Sequence, residues 1–347
     1  MNMRGAIKIL EEQTGVVIPL YLSPNTDDEQ AEMSLSLLRD TVHGFAREIN
    51  DPTNICLTID GSPRAAEQGR QMVAEYGVQL VEAERNRGKL AAVRNAVAKL
   101  LEKTDLHYII SADSDCDHFA NEALNFVWAA EHVASQLNTE RVLVLGDRRS
   151  CHRPMGFLRG ELEELADRMM MDALHYDAAI TGTPMTLQFT NTLDEYPDFH
   201  SGYKLYTRQT AIDVFTTSPN MAGCGEFAYY RHNCEAVPIV EAIKSGGTLA
   251  TVNRRTFDEQ PVSTFAQLNR AQLTADMIIW PCKRLNVPGH FVAQWLDNHL
   301  PRLVLSTLVP SGREELVAVR DLVLDAFDQQ VPPKREVVGG FVRPLFV

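Results

Sequence analysis

At 347 residues, 45% of them apolar and 23% charged, the chain has room for one large α/β domain with a smaller companion, or for two modest domains, and its composition excludes wholesale disorder. A net charge of −13 argues against a nucleic-acid backbone as main partner, since such binders cluster Lys and Arg. No uninterrupted apolar stretch reaches the roughly 20 residues of a bilayer span, and the six cysteines (Cys56, Cys116, Cys151, Cys224, Cys234 and Cys282) make no CxxC pair or zinc spacing, so a soluble cytoplasmic protein with reduced thiols is expected.

The opening "MNMRGAIKILEEQ" is broken by charge and makes a poor signal peptide. "GVVIPLYL" (15–22) reads as a first strand and leads through "SPNTDD" to a helix with Leu35, Leu38, Val42, Phe45 and Ile49 on one face. "NICLTIDGSP" (54–63) is a second strand ending in a turn, 64–76 a helix, and "GVQLVEAE" (77–84) a third strand. "GKLAAVRNAVAKLLEK" (88–103) is helical by its Ala, Leu and Lys content. "LHYIISA" (106–112) is a fourth strand, followed by a helix over 119–137 and the strand "RVLVLG" (141–146). This alternation predicts βαβ units in a largely parallel sheet covered on both faces, with ligands beyond the carboxyl ends of its strands. Past residue 150, a long helix covers about 156–176, "DFHSGYKLYTRQ" (198–209) reads as a turn and then a strand, and helices fall near 235–245, 263–279 and 311–329.

In "SADSDCDHFA" (111–120), Asp113, Asp115 and Asp117 alternate directly after an apolar strand, and such charge needs a cation to offset it. A calcium loop fails, because its glycine and glutamate places hold His118 and Leu124. A haloacid-dehalogenase-like phosphohydrolase, with Asp113 as nucleophile, fits less well: Asp117 stands where that family usually has Thr or Val, and the motif is on the fourth strand, not the first. A metal site for a nucleoside diphosphate is the third reading.

"VVIPLYL", "IDGSP", "NRGKLAAVRNA" and "SADSD", in this order, resemble the inverting nucleotide-sugar glycosyltransferases of family 2, which have the A-type (GT-A) fold. The later "GDRRSCHRPMGFLRGELEELADR" and "DFHSGYKLYTR" resemble the polyprenyl-phosphate branch of that family, here without membrane helices. The resemblance spans about 15–265 and implies an α/β GT-A fold with a mostly parallel central sheet flanked by helices. It divides the chain into a nucleotide-sugar half (1–150), an acceptor half of the same domain (151–265), and a helical extension with an arm (266–347). It places the nucleotide against Pro19, Leu20, Tyr21, Asp60, Asn86, Gly88, Lys89, Asp113 and Ser114, and Mg2+ or Mn2+ on Asp113 and Asp115. The acceptor falls beside Ser201, Gly202 and Tyr203. The catalytic acid of the family maps to Glu235, eleven residues before Gly246, with Glu226 and Glu241 left open for the same role.

The chemistry suits these residue types. A hard cation on carboxylates neutralises a departing pyrophosphate, and the helix start at Gly88, with the Lys89 ammonium, adds positive potential there. Among His118, His200, His232 and His290, the last is the first to test as a further metal ligand. The expected activity is metal-dependent hexosyl transfer from a nucleoside-diphosphate sugar to an unknown acceptor. The alternatives are a metal-dependent phosphohydrolase, a nucleotidyltransferase and a non-catalytic nucleotide-sugar-binding module. The tail "VVGGFVRPLFV" suits an arm packing on a second copy, hence a homodimer or higher oligomer, with an arm folded back on its own domain as the alternative.

Overall fold

The computed structural model describes residues 2–148, 152–190, 196–257 and 269–329; the tail arm and residues 149–151 of the Arg-rich stretch lie outside them. Seven strands make one sheet: β1 (Thr14–Leu20), β2 (Ile55–Asp60), β3 (Gln79–Ala83), β4 (Tyr108–Ser111), β5 (Val142–Arg148), β6 (Lys204–Thr207) and β7 (Thr248–Arg254). Their order is β3-β2-β1-β4-β6-β5-β7, and every pairing is parallel except those of β6, which runs antiparallel between β4 and β5. The expected α/β class and mostly parallel sheet are therefore observed, and strands from either side of residue 150 share the sheet.

The helices in chain order are α1 (Met3–Gln13), α2 (Asp28–Glu48), α3 (Pro63–Tyr76), α4 (Lys89–Leu101), α5 (Ala123–Leu137) and α6 (His152–Thr181). They continue with α7 (Arg208–Phe215), α8 (Ala236–Lys244), α9 (Arg270–Arg284), α10 (Gly289–His299), α11 (Leu305–Leu308) and α12 (Gly312–Ala326). Local chemistry explains their ends. Asp27 caps α2 by accepting from the Gln30 amide at 2.8 Å. Ser62 caps α3, Pro63 opens it, and Gly77, at φ 73°, closes it in the left-handed region.

Successive strand residues go to opposite faces, and each face has its own core. Val16, Ile18, Ile55 and Leu57 join Leu38, Val42, Phe45 and Val127 on one side. Val17, Cys56, Leu143 and Leu145 join Leu90, Leu165, Met169, Ile239 and Trp280 on the other. Burial on both faces is why these strands read as unbroken apolar runs without alternation. The second core continues into α9, α10 and α12, whose Ile278, Leu296 and Leu316 belong to it, so the C-terminal helices are an extension of that layer.

Three elements differ from the sequence reading. The stretch 248–254, left without a strand, forms β7 beside β5. The strand expected after a turn within 198–209 is only four residues long, because Arg208 already opens α7. "VPGHF" opens α10, a helix that the expected helices near 263–279 and 311–329 bracket but do not include. No helix among the described residues is long and apolar enough to cross a membrane.

Candidate active site

The polar clusters meet at the carboxyl ends of β1, β2 and β4. At the end of β2, the buried Asp60 carboxylate accepts the amides of Arg87 (2.8 Å) and Gly88 (2.7 Å), tying that strand to the start of α4. Gly61 (φ 63°) lets the two segments touch: a Cβ there would stand 2.2 Å from the Asn86 nitrogen. Gly88, at φ 117°, is constrained by conformation and space together, since a Cβ would fall 2.6 Å from the Tyr230 carbonyl. Asn86 accepts from Arg231 through its side-chain oxygen, and Arg87 lies 4.8 Å over the Tyr230 ring. This clamp sets the direction of Lys89, the first residue of α4.

Lys89 joins two distant carboxylates. Its Nζ lies 2.5 Å from Asp113 Oδ1 and 2.8 Å from Glu235 Oε1. Burial opposes its charge, but Asp113 and Glu235 hold its pKa well above the usual lysine value. Burial would raise the Asp113 carboxyl; Lys89, followed by Lys204 and Arg254, keeps it lowered. The Asp113 amide donates to His118 Nδ1 at 2.7 Å, which leaves the ring proton on Nε2. Burial and the Arg254 charge push the His118 pKa well down, so the ring is neutral. The backbone closes on Asp113 at Gly202, where a Cβ would meet Asp113 Oδ2 at 2.7 Å.

The three aspartates separate into different environments. Asp117 is buried, with Oδ2 3.2 Å from Arg254 and Oδ1 accepting the Phe257 amide at 2.6 Å, so it secures the loop. Asp115 takes only the Asp117 amide, at 3.2 Å, and burial together with the nearby Asp113 charge raises its carboxyl to about 6. Among the described residues its second oxygen takes no protein donor, and that oxygen beside a like charge is the donor set a hard cation would relieve. Asp113 and Asp115 therefore fit a divalent ion with water and phosphate oxygens completing its shell. Among the described residues no three His, Cys, Asp or Glu side chains gather as a metal cluster.

Glu235 stands immediately before α8, with Lys89 and the Cys234 thiol (3.8 Å) donating to Oε1 and Lys204 to Oε2. Burial would raise its pKa, yet Lys204 and Lys89 together lower it to about 2, so it is ionised. The other two glutamates are engaged elsewhere: Glu226 with Arg87 at 3.1 Å, and Glu241 with Arg284 at 2.7 and 2.8 Å.

The remaining expected residues take varied positions. Pro19 and Leu20 end β1, Leu20 is buried, and Tyr21 just beyond is 40% exposed; Ser114 is half-buried between Asp113 and Asp115. Ser201 is buried and accepts from Arg254 at 3.1 Å, so its hydroxyl faces the framework. Tyr203 is fully buried, stacked on His118 (centroids 4.8 Å apart), and its hydroxyl donates to the Phe119 carbonyl. His290 is exposed on the first turn of α10 beside Phe291, on the helical extension, and does not complete a three-ligand group with Asp113 and Asp115. His232 and His200 pair with Asp276 and Asp167, each at 2.6 Å. Sequence reasoning missed Lys204 and Arg254. The available signal for Lys204 was a lone cation inside "YKLYT", an otherwise apolar strand.

No family model matches the chain, and no curated protein matches it. Among solved structures it is similar to S. aureus TarS 1-349, at 11% identity over 91% of this chain and 90% of that one, with a TM-score of 0.40. It is also similar to the mannosyltransferase PcManGT from Pyrobaculum calidifontis in complex with GDP-Man and Mn2+, at 11% identity over 91% and 86%, with a TM-score of 0.46. A cytidylyltransferase from Leptospira borgpetersenii matches at 10% identity over 72% and 79%, with a TM-score of 0.35.

Proposed function

We propose that the chain transfers a hexosyl group from a nucleoside-diphosphate sugar to an acceptor hydroxyl with inversion, in the GT-A manner, using Mg2+ or Mn2+. The observation that supports this most is the line Asp113–Lys89–Glu235, drawn from three distant segments to the carboxyl edge of the sheet. It sets a cation-binding carboxylate, a phosphate-seeking ammonium and an ionised glutamate side by side, as single displacement on a diphosphate ester requires.

Asp113 and Asp115 would hold the divalent ion, which when bound neutralises charge on the two phosphates. Lys89 donates to a phosphate oxygen as the bond from the anomeric carbon to the diphosphate breaks. The acceptor oxygen attacks that carbon from the opposite face, and its proton passes to Glu235. Tyr21, with Pro19 and Leu20, forms one wall of the nucleotide site, and Asn86, Ser114 and the Asp60 clamp lie along its phosphate side. Gly202 leaves room at Asp113 on the acceptor side, where Ser201 and Tyr203 support the wall from within. The 1–150 and 151–265 portions thus supply donor and acceptor sides, and the helices beyond 265 brace the second.

A thermal-shift screen of UDP, GDP and ADP sugars with Mn2+ or Mg2+, followed by analysis of the same tubes for sugar release, tests the reading. Metal-dependent stabilisation with slow nucleotide-sugar hydrolysis is expected. Stabilisation without any turnover would reduce the chain to a binding module. Hydrolysis of simple phosphate esters would make it a phosphohydrolase, and pyrophosphate release from a nucleoside triphosphate a nucleotidyltransferase.

A further inference from the structure

Lys204 is the least expected charge in the molecule. Its side chain is only 1% exposed, and it opens β6, which among the described strands alone runs against its neighbours. In register it lies beside Ser111 on β4 and Leu145 on β5, so the antiparallel run brings its start to the ends of the parallel strands. Its Nζ donates to the Ser201 carbonyl and to Glu235 Oε2. An apolar residue would pack there without the desolvation a buried ammonium suffers. Lys89, the second partner of Glu235, is 28% exposed and shared with Asp113. One partner is locked in the sheet; the other is partly exposed and shares Glu235 Oε1 with the Cys234 thiol, 3.8 Å away.

We propose that Lys204 is the positioning residue of the site, fixing the Glu235 carboxylate through Oε2 while Oε1, released as Lys89 turns to the phosphates, takes the acceptor proton. The inference rests on the transfer reading above. The Ser201 carbonyl anchors the far side of the ammonium, so Glu235 is aimed by the backbone of the turn before β6. That turn also carries Gly202, whose bare Cα approaches Asp113. The donor-side and acceptor-side carboxylates are thereby referred to one short segment, and their separation does not depend on Lys89.

Kinetics of K204M and K204R, alone and with Glu235→Gln, test the assignment. K204M removes the charge at similar volume: kcat should fall at least ~30-fold with donor KM and Kd within about twofold, the signature of a group that acts only in the transition state. K204R, which keeps a donor, should recover part of that loss. In the Glu235→Gln background K204M should cost less than about threefold more, because two residues acting as one unit are not additive. A parental kcat in K204M, or an equal loss in both backgrounds, overturns the proposal. If K204M alone fails to fold, the K204M/Glu235→Gln double variant should fold with its matched loss of charge; an unfolded double variant means Lys204 serves the sheet alone and overturns the proposal. A parental protein that neither binds nor turns over nucleotide sugars rejects the transfer reading itself and the positioning role with it, whereas an active parent with an indifferent K204M rejects only the latter.

Discussion

Asp115 and Asp117, two positions apart, invite opposite outcomes. Asp115→Ala removes an oxygen that no donor among the described residues satisfies, so the fold should survive while calorimetry finds metal-dependent nucleotide binding lost. Parental binding of nucleotide and Mn2+ would remove Asp115 from the metal site. Asp117→Ala should instead lower stability, by roughly 3 kcal/mol, because it removes the direct ion-pair partner of the buried Arg254. Glu235→Gln should lower turnover at least ~10², the lower range for a lost general base, with donor affinity nearly unchanged. Near-parental turnover would send the role to Glu226 or Glu241, both now held by arginines. The Asp167–His200 pair has its own pH signature. Burial raises the Asp167 carboxyl to about 7. At His200 burial opposes the charge, but Asp167 raises the pKa above the usual value. Each group binds its proton more tightly folded than unfolded, so the contribution of Asp167 is lost as pH rises from about 4 to about 7, and that of His200 as pH rises beyond a histidine's ordinary pKa of about 6.5. Melting temperature should therefore decline from pH 6 to pH 8.5, and His200→Gln should flatten that slope. An unchanged slope in the variant would locate the dependence elsewhere.

The element that matters most is α4, because its first residue carries the ammonium and its approach is fixed by two glycines and an aspartate. Gly88→Ala imposes an L side chain at φ 117° and drives a Cβ to 2.6 Å from the Tyr230 carbonyl. We expect a loss of about 2 kcal/mol or more in urea unfolding, with weaker donor binding as Lys89 is displaced. A variant with the parental midpoint would mean that the loop relaxes freely. β6 shows why elements cannot all be read locally. "KLYT" has ordinary strand composition, but its antiparallel direction shows only in its pairing with β4 and β5 and not in its four residues. Likewise "TLATVNR" is apolar enough for strand or helix, and only the open edge of β5 makes it β7.

For the whole molecule, the expectation of a homodimer through the arm at 337–347 is a proposal resting on its Val, Phe and Leu residues, which lie outside the described structure. Light scattering at micromolar concentration should give twice the 38.8 kDa chain mass, and deletion of 331–347 should give a monomer. A monomer mass for the full chain ends the idea. The described cysteines, Cys56, Cys116, Cys224, Cys234 and Cys282, are free thiols.

What the amino-acid sequence determined by itself was the repeated passage from apolar run to turn to amphipathic helix, and with it the α/β class and the polar strand ends. These follow from local propensity and from burial on both faces, which any window of ten residues displays. It also marked Asp113, Asp115, Gly88, Lys89 and Glu235 as candidates, since carboxylates and glycines at strand ends stand out against apolar surroundings. Tertiary structure alone decided that Asp117 answers Arg254, that Tyr203 lies under His118 in the core, and that His290 stands apart on α10. It alone brought Lys204 to Glu235, because a strand's direction and a carboxylate's counter-ion depend on contacts between segments 31 residues apart or more, which no local pattern encodes.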